Sequence, residues 1–138
     1  MHVGKRGRVL LFFGALDLVY AVSLSAPDEA SRGAPMLTWL AGIAPLWVWA
    51  LSWGVVGVTC LWQAFCRRDS IGYAAAICLK IGWGIVSLGA WLFGSVDRGY
   101  VAAAIWLGLA YAVSVISGWP EPGDLKGGPT WIRPSSSR

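Results

Sequence analysis

Four long apolar runs, broken internally by only two charges, constrain this chain more tightly than any other feature. Their membrane-length portions are residues 9–25, 45–66, 71–93 and 100–119, and the intruding charges are Asp17 and Lys80. A helix needs about 20 apolar residues to cross a bilayer core. Backbone polar groups inside hydrocarbon must be satisfied within the segment, so runs of this length are expected to be helices. Composition agrees, with 57% hydrophobic and 13% charged residues, about half the roughly 25% charge of soluble domains. That excludes an ordinary soluble domain, and the hydrophobicity excludes a disordered chain. The expected fold class is all-α: an integral membrane four-helix bundle over residues 9–119. A basic leader at 1–8 precedes it, and a Pro/Gly/Ser-rich flexible cytoplasmic tail at 120–138 follows.

The connections carry the remaining signals. Residues 26–35 (APDEASRGAP) hold breakers and the acids Asp28 and Glu29, the pattern of an exposed loop. The second run is charge-free from residue 37 to 66, too long for one upright helix. Pro45 would kink a helix or begin one, which leaves 37–44 as an extension or an interfacial piece. Arg67, Arg68 and Asp69 make a tight charged turn, and Asp97 and Arg98 mark another at 94–99.

Short cytoplasmic loops hold the excess of Lys and Arg beside membrane spans. The leader (Lys5, Arg6, Arg8), the turn (Arg67, Arg68) and the tail (Lys126, Arg133, Arg138) place eight cations on one side. Only Arg32 and Arg98 fall on the other. With an even number of spans, both termini are expected in the cytoplasm of a bacterium, the chain crossing its inner membrane. Trp62 and Trp119 lie near the predicted cytoplasmic ends and Trp39 and Trp91 near the outer ends, where amphipathic rings prefer to sit. Trp47, Trp49, Trp53, Trp83 and Trp106 lie deeper and read as packing residues rather than a stacking cage. A competing reading makes the first run a secretory signal with small residues at Ala21, Ser23 and Ala26. Asp17 in its apolar centre and Pro27 after Ala26 argue against it.

A charge near the bilayer centre costs about 2.5 to 3.5 kcal/mol on insertion scales, so Asp17 and Lys80 need partners. In this topology the first and third spans run the same way. Asp17 lies about 12 Å and Lys80 about 13.5 Å from their inner ends at 1.5 Å per residue. Opposite charges at one level invite an interhelical ion pair. The face of Asp17 carries Phe13, Gly14, Tyr20 and Ala21, and that of Lys80 carries Tyr73, Ala76, Gly84 and Ser87. Small residues at Ala50, Gly54 and Gly57, at Gly84, and at Ala104, Gly108 and Ala112 suit close helix packing. The pair reads either as a structural bridge or as part of a polar path.

Nothing in the sequence supplies catalytic chemistry. The one histidine is His2, and Cys60, Cys66 and Cys78 lie in apolar stretches without metal-ligand spacing. A carboxylate pair, a nucleophile elbow, a zinc motif and a phosphate loop are all missing. No enzyme, metal or cofactor is expected. The net charge of +4 is placed for a membrane surface, not for nucleic acid. The expected partners are the lipid bilayer and either further copies of the chain or another membrane protein.

The leader with its arginines, the spans FFGALDLVYAVSL and WLAGIAPLWVWALSW, the turn CRRD, the lysine in CLKIGWG and the closing AIWLGLAYAVSVISGWPEP together form a pattern over about residues 5–122. It resembles small four-span membrane proteins of actinobacteria and their phages. That resemblance implies a holin-like role, in which oligomers permeabilise the cytoplasmic membrane. A non-pore accessory or interaction protein of the membrane is the alternative. The chain is also similar in layout to small multidrug resistance exporters, which use one membrane-embedded acid in the first span, where Asp17 stands. It departs from them in having Asp for Glu, a counter-charge at Lys80 and a Pro-rich tail, so an ion-coupled exporter is the third reading.

Overall fold

Gly4 caps the first helix, α1 (Lys5–Ser25), which therefore begins four residues before the apolar run. Lys and Arg are good helix formers, so the basic leader continues the span as helix instead of preceding it as a separate arm. The last turn closes through the Ala26 amide on the Val22 carbonyl, and Pro27 follows, unable to extend it. The computed structural model describes residues 4–66 and 69–119. His2, the Arg67 and Arg68 part of the charged turn and the tail at 120–138 lie outside the described residues.

Asp28 then caps a single turn, α2 (Glu29–Arg32), its carboxylate accepting from the Ser31 amide at 2.9 Å. Pro35 opens α3 (Pro35–Ile43) at the position where its missing N–H costs nothing. Ala44 is extended (φ −154°, ψ 155°), as the residue before a proline prefers. The chain restarts at Pro45 as α4 (Leu46–Gln63). The indole N–H of Trp49 reaches back to the carbonyls of Leu40 and Ala44, 3.2 Å from each, and covers the exposed end of α3. The run from 37 to 66 is thus two helices with Pro45 as the break.

Helix α5 (Ser70–Leu92) ends in a left-handed turn at Gly94 (φ 70°), where the Ser95 amide reaches the Ala90 carbonyl and the Gly94 amide reaches that of Trp91. Only glycine takes this conformation cheaply. The final helix is α6 (Gly99–Ser117). Gly99 is a required glycine: a Cβ there would lie 2.5 Å from the Ser87 carbonyl.

The described residues are all helix and turn, and α1, α4, α5 and α6 are long and apolar enough to cross a membrane. They are consistent with a multi-pass membrane protein. Phe12, Val55, Val58, Ile85, Leu92 and Ile105 are among many large apolar side chains facing outward, the reverse of a soluble surface. Helix α1 packs on α4, and α5 on α6, each pair antiparallel; α4 joins the two pairs along α5.

The packing glycines divide into two groups. Gly57 meets the backbone of Gly14 (3.0 Å from its Cβ position) and Gly84 meets Leu107 (2.9 Å), while Gly54 faces Ala21 at 3.8 Å. Among the described residues, nothing packs closely on the stripe of Ala104, Gly108 and Ala112. All three are exposed, and nothing lies within 4 Å of a Cβ at Gly108. Helix α6 instead turns Ala103, Trp106, Ala110 and Val113 inward. Small residues line both sides of this helix, and the indole of Trp106, as the largest inward group, sets which side is buried.

Candidate functional site

Helices α1 and α5 make few close backbone contacts, and two ion pairs between long side chains tie them in register. At the amino-terminal end of the bundle Arg6 meets Asp69 at 2.7 Å, each side chain 18% exposed. The Arg6 guanidinium also lies 5.3 Å from the centre of the Tyr73 ring, and the Tyr73 hydroxyl donates to the Arg6 carbonyl at 2.9 Å. About three turns further along both helices, Lys80 donates to Asp17 at 2.7 Å, and here both side chains are fully buried. The sign order alternates: cation then anion along α1, anion then cation along α5. A slip of one turn would break both pairs at once.

Three surfaces surround the Lys80 ammonium. Besides the Asp17 carboxylate, the rings of Phe13 and Trp53 lie 5.2 and 5.4 Å from it, within cation–π range. The second Asp17 oxygen, Oδ2, is buried without a hydrogen-bond partner. The pair cancels its own charge in a low-dielectric interior, where an isolated charge would be costly. Neither group is reached by solvent in this conformation.

Beyond the pair stands an aromatic cluster. Tyr20 stacks on Trp53 with centroids 4.5 Å apart, and Trp83 and Trp106 meet Tyr20 edge-on at 6.0 and 5.3 Å. Trp53 in turn meets the edges of both Trp83 and Trp106 at 5.2 Å. One ring comes from each long helix, so the cluster locks all four together. Leu40 of α3, fully buried, packs with these rings.

A cavity of about 410 Å3 opens beside the cluster, between α1 and α6 and next to α3. Tyr20, Trp83 and Trp106 form its aromatic wall, and Leu24, Leu37 and Ala102 contribute to the rest. Ser87 lines it too, fully buried, with its hydroxyl unpartnered. Among the described residues Arg98 is the charged side chain of the lining, and it is exposed.

Trp53, Trp83 and Trp106, expected from the sequence to be packing residues, converge on Tyr20, which their positions in the chain, taken singly, do not announce. The signal lies in the spacing shared between helices. The buried set Ala50, Trp53, Gly57, Cys60 of α4 recurs at identical spacing as Ala103, Trp106, Ala110, Val113 of α6. Leu10, Phe13, Asp17 and Leu24 of α1 recur likewise as Tyr73, Ala76, Lys80 and Ser87 of α5. The two helix pairs share one burial template, with Asp17 and Lys80 at its equivalent positions.

Among the described residues no group of His, Cys, Asp or Glu could hold a metal ion, and the three cysteines are unpaired thiols. No protein-family model, curated protein or solved structure matches the chain.

Proposed function

We propose that this protein is a small multi-pass protein of a bacterial cytoplasmic membrane that works by binding, as a non-pore accessory or interaction protein without enzymatic activity. The observation that carries the reading is the sealed pair: Asp17 and Lys80, the charges a water-filled path would need, are fully buried against each other. Their neutralisation leaves the bundle interior apolar and aromatic. Asp17 held by Lys80 is also poorly available to a proton or a cationic drug, which weighs against the exporter reading. The cations Lys5, Arg6 and Arg8 at the amino-terminal end of the bundle, against Arg98 at the α3 end, support a topology with both termini in the cytoplasm. The cavity then opens toward the extracytoplasmic side.

The outward stripe of Ala104, Gly108 and Ala112 favours a second reading, the holin-like one. Small exposed residues let identical helices approach closely, so copies of the chain, or another membrane protein, would dock there. Induced expression in a bacterium, with membrane potential followed by a dye, separates the two. Steady growth with intact potential is expected; abrupt collapse at a threshold time would overturn the non-pore reading in favour of holin-like lesions. Resistance to lipophilic cations that Asp17→Asn abolishes would instead establish export. Reporter fusions after residues 30, 69 and 97 should read out, in, out.

A further inference from the structure

The cavity between α1 and α6 has properties that the ion pair and the packing do not explain. Its volume of about 410 Å3 falls in the range of small-molecule sites. At roughly 30 Å3 per water-sized group, that is room for on the order of ten such groups. The walls are mainly apolar and aromatic. A sugar or other polar solute would lose its hydrogen bonds to water there and regain few.

Two features select the polar part of an occupant. The Ser87 hydroxyl lies on the wall, fully buried and without a partner, and a buried hydroxyl normally has one. Arg98 is the charged lining residue among those described, and it is also the N-cap residue immediately before α6. The first turn of α6 carries no acid and its cap makes no side-chain hydrogen bond, so the positive end of this helix is left without a local counter-charge from its own first turn. Asp97, the exposed neighbour of Arg98, does not line the cavity. The charge presented to an occupant is therefore positive, at the mouth of an apolar slot.

We infer that the cavity binds one anionic amphiphile, its phosphate or carboxylate head on Arg98 and the start of α6, its apolar tail along the aromatic wall, and an ester or hydroxyl oxygen on Ser87. The tail stops at the cluster, since the Tyr20–Trp53 stack stands between the cavity and the Asp17–Lys80 pair. This assignment rests on the binding role proposed above and names its ligand. The same head-and-tail chemistry is offered by a free fatty acid of about a dozen carbons, which fits whole, and by a membrane phospholipid, which would seat its head and part of one chain and leave the rest in the bilayer.

The test uses the full chain purified in a nonionic detergent, titrated separately with phosphatidylglycerol, phosphatidylcholine and dodecanoate, with bound adducts counted by native mass spectrometry. One phosphatidylglycerol per chain is expected, with phosphatidylcholine about tenfold weaker, because its choline cation cancels the charge of its phosphate and is repelled by Arg98. Arg98→Gln should remove that preference. Ala102→Trp, which fills the slot, should remove the adduct while helicity and elution stay native. A single dodecanoate adduct without phosphatidylglycerol binding, lost in the same variants, assigns the site to a free carboxylate and also supports the inference. Equal binding of the two phospholipids overturns it, as does preference that survives Arg98→Gln or an adduct that survives in folded Ala102→Trp. A chain that collapses membrane potential yet keeps its one adduct loses the non-pore reading and keeps the site. Intact potential with no adduct does the opposite.

Discussion

On the amino-terminal side of the Asp17–Lys80 pair the helices close on small residues, whereas on the α3 side indole rings prop them apart. The first region packs Leu10, Phe13, Cys60, Ala64, Tyr73, Ala76 and Val113, and there Gly14 and Gly57 bring α1 and α4 into backbone contact. The second gathers Trp53, Trp83 and Trp106, needs Leu40 of α3 to cover them, and still leaves a cavity of about 410 Å3. Glycine and alanine let backbones approach until little space remains. Rigid rings from four helices fill a cross-section unevenly. The difference teaches that one bundle can hold a closed, register-setting end and an end with room for a ligand, divided by a neutralised charge pair.

The largest effect should come from breaking the divider. Asp17→Leu or Lys80→Leu alone leaves one uncompensated buried charge and should cost about 3 to 5 kcal/mol, whereas the double variant should be close to native. Unfolding in mixed micelles measures all three, and additive losses would show that the two groups act independently.

The contrast between regions is sharpened next by two alanines. Gly14→Ala places a Cβ 2.8 Å from Leu61 and 2.9 Å from the Gly57 carbonyl, and overpacking of this kind costs about 1 to 3 kcal/mol. Gly54→Ala, facing only Ala21 at 3.8 Å, should change stability by no more than about 0.5 kcal/mol. Equal losses would erase the proposed difference in closeness. On the open side, Trp49→Phe deletes the donor to the Leu40 and Ala44 carbonyls and should cost about 1 kcal/mol, with faster amide exchange across α3.

Arg6→Gln removes a partly buried pair, each side chain 18% exposed, at the bundle's end and should cost up to about 1 kcal/mol, less at high salt. The smallest effect lies in the α2 turn. The Ser31 hydrogen bonds to Asp28 hold its carboxyl below the usual 3.8, so the ionised form is favoured by the folded turn. That contribution is present above 3.8 and is lost as pH falls through the lowered value. Exchange of the Ser31 amide should therefore accelerate only in that acid range.

The sequence by itself determined four long helices and the break at Pro45, because uninterrupted apolar runs and a proline act locally. It also put Asp17 and Lys80 at one level, since depth along parallel helices is a matter of counting. It set residues 1–8 apart as a leader, whereas helix formers carry α1 back to Lys5, and the Asp69 that receives Arg6 is distant in sequence. Tertiary structure alone decided which side of α6 faces inward. Alanines and glycines occupy both sides, periodicity cannot choose between two small faces, and the choice falls to the rings of Tyr20, Trp53 and Trp83 that Trp106 must meet. The cavity has the same origin: it is space left between helices once those rings are placed, and no single segment of the chain encodes it.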